Sequence, residues 1–118
     1  MSTNVPPAVV ANQAMAANNA LGKLPNGVVP APILNAAKKA NTAVVNAAVN
    51  VLRNQDKMVN ASANATTMPN KANANRVKTA MTTINATMKN LQNLKNKAVL
   101  ANKNVVNAVI ANAANVPK

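Results

Sequence analysis

The sequence predicts an all-α fold: a short N-terminal helix, a proline/glycine-rich linker, and two long amphipathic helices packed as an antiparallel hairpin. Three observations lead there. Pro and Gly stand at a few places that divide the chain into segments. Within those segments the larger apolar residues recur at helical spacing. From Lys71 to Val116 there is neither Pro nor Gly. The organisation expected is residues 1–31 for the first helix and its linker, and residues 32–118 for the hairpin, with a bend near Pro69.

The first helix follows from Pro6 and Pro7, which suit a helix start, and from Gly22, which suits its end. Between them Ala8 to Leu21 carries Val9, Val10, Ala14, Met15 and Leu21. The stretch from Gly22 to Ala31 then reads as turns, with Pro25-Asn26 at a turn centre and Gly27 free to take a positive φ. Its two glycines match the spacing of a phosphate-binding loop. Val28-Val29 occupies the place of the required Lys-Ser/Thr, and no strand precedes it, so the stretch is read as a turn alone.

Pro32 fits the first position of a second helix. Ile33, Leu34, Ala37, Val44, Ala48, Val51, Met58 and Val59 follow at helical spacing to about Asn60 or beyond, and Pro69 ends or bends that helix.

The third helix shows an interval of eleven residues. Val77, Met88, Val99 and Ile110 form one set, and Leu94, Val105 and Val116 another. Eleven residues is close to three α-helical turns, so each set forms a nearly straight stripe. With Ala80, Ile84, Leu91, Ala98 and Val109 these stripes make the expected packing face. Asn85, Asn96 and Asn107, with Asn93, Asn104 and Asn115, fall on the opposite face beside Lys78, Lys89 and Lys97.

Composition excludes most chemistry. There is no His, Cys, Tyr, Trp or Phe, and Asp56 is the single acid, with Arg53 and Lys57 close by in sequence. General acid–base catalysis needs a group that titrates near neutral pH, and metal sites need clustered His, Cys or carboxylates. No cofactor, no metal and no enzymatic activity are therefore expected. Asn fills about a fifth of the chain, so its three N-x-S/T sequences are expected by chance.

The same depletion shapes the partners. Thirteen Lys and Arg against one acid give a net charge of +12. The basic groups repel one another unless an anion lies nearby: nucleic acid, an anionic membrane surface or an acidic protein. Lys71, Arg76, Lys78, Lys89, Lys95, Lys97 and Lys103 are the candidate polyanion contacts. Without aromatics there is no base-stacking platform, so any nucleic-acid contact would be to phosphates and independent of sequence. No apolar run reaches the ~20 residues that span a bilayer, and the N-terminus lacks the basic-then-apolar pattern of a secretory signal.

An Ala/Val core without rings is thin, because aromatics supply the largest buried areas. A chain so built is expected to complete its fold against other subunits, its own copies or capsid-type proteins. The sequence-level expectation is thus a structural protein of a large assembly, most concretely a minor capsid, cement or internal virion protein with a basic surface. The alternative is a nucleic-acid packaging or nucleoid protein.

Overall fold

A computed structural model of the 118-residue chain describes residues 5–114. Helices α1 (Pro7–Gly22), α2 (Ala31–Thr67) and α3 (Lys71–Ala114) account for nearly all of them, and no strand occurs among the described residues. Asn115 and Val116, assigned above to stripes of the third helix, lie outside the described residues.

Proline sets the helix starts. Pro6 and Pro30 hold extended backbone just ahead of α1 and α2, with a second proline inside each first turn. Their carbonyls accept the first helical bonds, from Val10 to Pro6 and from Leu34 to Pro30, both 3.1 Å. Proline at these positions forfeits only an N–H that would lack a helical partner anyway.

The α1–α2 connection turns at Asn26-Gly27. The Val28 amide donates to the Pro25 carbonyl at 3.4 Å, and Gly27 has φ +85°. A positive φ at the third position of a four-residue turn favours glycine. The turn centre is one residue later than Pro25-Asn26, because the conformation that only Gly takes freely sets the register. The linker also contributes to the interior: Val29 is buried with Leu21, Ala37 and Val105. That cluster joins residues of all three helices and the linker.

At the far end α2 stops at Thr67, two residues before Pro69, as the backbone restriction ahead of proline requires. Two asparagines make the corner. The Asn70 side chain accepts from the Asn73 amide at 2.8 Å, capping the start of α3. The Asn73 amide group, 7% exposed, donates to the carbonyls of Met68 (2.8 Å) and Asn64 (3.4 Å), which covers the end of α2. Arg76 donates to the Asn73 Oδ1 at 2.8 Å.

From that corner α3 packs along α2: Asn73 bonds to Asn64, and Asn41 to Asn102. The product is a rod 72 × 24 × 22 Å. Its length is close to the ~66 Å rise of a helix as long as α3. The radius of gyration is 19.6 Å, where a compact chain of similar size has about 13 Å.

Candidate interaction surface

Burial on α3 recurs every seven residues. Ile84, Leu91, Ala98 and Val105 are buried, and Val77 and Asn112 continue the line half-buried at its ends. A second half-buried line runs through Ala80, Thr87, Leu94, Ala101 and Ala108. On α2 the lines are Asn41 and Ala48 with Leu34, Gln55 and Ser62, and Ala37, Val44 and Val51 with Met58 and Ala65. A seven-residue repeat is the pattern by which two helices wind around each other with a left-handed twist.

This changes the reading of the eleven-residue stripe. Against a seven-residue seam each eleven-residue step rotates about 50° away. Val77 starts at the seam, Met88 is 47% exposed, Val99 64% and Ile110 62%. Ile84, Leu91 and Val105 are buried, and Leu94 and Val109 are half-buried. The packing face expected from the sequence is thus two surfaces. One is the seam; the other is an apolar line that peels off it onto the outside of the rod. Asn85, Asn93, Asn96, Asn104 and Asn107 are all exposed. On the other helices Val9, Met15 and Val59, also placed at helical spacing by the sequence, are exposed.

The most deeply buried polar side chain of the seam is one that the sequence reading missed. Asn41 is 2% exposed and hydrogen-bonds to side chains on both α1 and α3. Its Nδ2 donates to Asn18 Oδ1 on α1 (3.0 Å) and Asn102 Oδ1 on α3 (3.2 Å), and Asn102 Nδ2 returns a bond to Asn41 Oδ1 at 2.8 Å. Asn18 further donates to the Thr42 hydroxyl at 3.2 Å. Among the described residues no buried side-chain polar atom lacks a partner. In a chain so rich in Asn, nothing in the local sequence separates these three from the rest.

Beside this cluster α1 and α3 pack on α2 but their backbones stay apart. A groove of ≈370 Å³ opens between them. Val10, Ala14 and Ala17 form one wall, Ala98 and Val99 the other, and Val44 the floor, with Lys95 at the edge.

The seven candidate cations do not gather on one face. By the seven-residue register, Lys71, Lys78, Lys89 and Lys103 point away from α2. Arg76 and Lys97 border one side of the seam and Lys95 the other. All are exposed except Lys95, which is half-buried at the groove. Asp56, the single acid, is exposed on α2. No helix among the described residues is long and apolar enough to cross a membrane. No family model, no curated protein and no solved structure matches this chain.

Proposed function

We propose that this chain is a non-enzymatic structural protein that completes its fold inside a large assembly, in its most concrete form a minor capsid, cement or internal virion protein. The observation that carries the reading is surface in excess of what the interior supports. The chain exposes 8014 Å², where a compact protein of its mass exposes about 6,000 Å². The interior is correspondingly thin. Among the described residues the buried hydrophobic side chains larger than Val are Leu21, Ile84 and Leu91, and Ala fills six places. Burial of Met88, Val99, Val106 and Ile110 against neighbours would supply apolar contact that the chain cannot make alone. The antiparallel hairpin then serves as the rod-like building unit.

The test is the state of the purified protein in dilute solution. Mass photometry and a circular-dichroism melt are expected to show association, or a weakly stable monomer that gains stability with concentration. A monomer that melts cooperatively at high temperature, independent of concentration, removes the reading.

A second reading rests on the outward cations Lys71, Lys78, Lys89 and Lys103, which suit phosphate contacts along a nucleic-acid backbone. Its test is duplex-DNA binding across a salt series. A steep loss of affinity with rising salt supports it, and no binding at low salt removes it.

A further inference from the structure

We infer that the groove between α1 and α3, with the apolar line that leaves it along α3, is a docking site for an acidic amphipathic helix of another protein. The inference rests on the assembly reading above and names the chemistry of the partner.

The surface has two continuous parts. Val99 forms a wall of the groove and is also a member of the exposed line. From it Val106 and Ile110 continue outward at helical spacing, 55% and 62% exposed. Lys95 and Lys103 stand one helical turn to either side of Val99, so cation and apolar group alternate along one path: Lys95, Val99, Lys103, Val106, Ile110. A partner that covers this path must bury apolar side chains and bring anions within reach of two ammonium groups.

Charge decides between occupants. A second copy of this chain brings another +12 and one acid, so it places like charges beside Lys95 and Lys103. A helix with Glu or Asp flanking an apolar stripe meets the same path with opposite charges. The amides of Asn41 and Asn102 bond to one another at the groove, so covering them strands neither, while Gln13 on the α1 wall offers a partner one more donor and acceptor.

The probe is a synthetic helical peptide of about 28 residues, long enough to hold helix alone. It carries Leu along one stripe, Glu on both flanks and one Trp. The chain itself has no Trp, so peptide fluorescence reports binding directly. The acidic peptide is expected to bind one-to-one with a dissociation constant of ~10 μM at low salt. The double substitution Val99→Asn/Ile110→Asn, at exposed positions that leave the far-ultraviolet spectrum unchanged, is expected to weaken binding about tenfold or more. Lys95→Gln/Lys103→Gln is expected to weaken it and flatten its salt dependence.

No binding of the acidic peptide overturns the proposal, as does equal binding of a version with Lys in place of Glu. A dimer of the chain that Val106→Asn dissolves assigns the surface to a second copy and overturns it too. So does binding to phosphatidylserine vesicles that Val99→Asn/Ile110→Asn abolishes, which assigns the surface to a membrane. The melt and mass of the chain alone test the assembly reading separately. A stable monomer that still binds the acidic peptide removes that reading and keeps this one.

Discussion

At the scale of single residues, Asn carries the specific structure that larger or charged residues usually supply. Asn41 bonds to both neighbouring helices from within the seam. Replacing it by Ala leaves the Asn18 and Asn102 amides short of partners in a largely buried place. The expected cost is about 1–3 kcal/mol in a urea or thermal melt. Asn41→Leu should separate two effects. It restores apolar contact but removes the side chain that bonds α2 to both α1 and α3. The variant is expected to stay helical by circular dichroism while losing sharp amide resonances near Asn18 and Asn102, since a buried Asn within a heptad seam fixes pairing register. At the corner, Asn73→Ala uncovers the end carbonyls of α2 and frees Arg76. A loss of about 1–2 kcal/mol in the same melt is expected. None of these roles could be read from the chain, because Asn occurs everywhere along it. The identity of Asn41 as buried depends on which heptad position it holds, and that emerges only when the helices pair.

At the scale of elements, the segments and the prolines that punctuate them were legible. Pro6, Pro30 and Pro69 act on the backbone locally, so their effect does not depend on tertiary context. The packing face was legible only in part. Ile84, Leu91 and Val105 combine large apolar side chains with the seam, whereas Thr87 is a seam residue with little hydropathy to announce it. Met88, Val99 and Ile110 are as apolar as the seam and lie off it. An eleven-residue and a seven-residue interval coexist in one helix, and the seam follows the seven because α2 carries the same repeat. The two halves of the α2–α3 pair also differ. Between Asn54 and the corner the only buried apolar residue is Ile84, while α1 backs the stretch from Val44 to Val51. Amide hydrogen exchange is therefore expected to be faster in residues 54–67 and 71–84 than in residues 41–51 and 91–105. Equal protection along the rod would contradict this account of its packing.

At the scale of the whole molecule, charge and shape act together. A rod with +12 and one acid has no internal compensation, so its cations repel along its length. Melting temperature is expected to rise as sodium chloride goes from near zero to about 0.15 M, where screening acts over ~8 Å. A protein held by surface ion pairs would show the reverse or no change. Net charge was plain in the sequence; its spread over three sides of α3 followed from the register and was not.

The Asn18–Asn41–Asn102 cluster also sets an order in time. Asn18 and Asn41 are 23 residues apart, and Asn41 and Asn102 are 61 apart. Closing the longer loop costs about 0.9 kcal/mol more chain entropy. The α1–α2 pair is therefore expected to form first, with the buried half of α3 docking on it later. Stopped-flow refolding is expected to separate the two. Val10→Ala on α1 should slow folding, while Leu91→Ala on α3 should leave the folding rate nearly unchanged and speed unfolding. If Leu91→Ala slows folding as much as Val10→Ala does, all three helices meet in a single step.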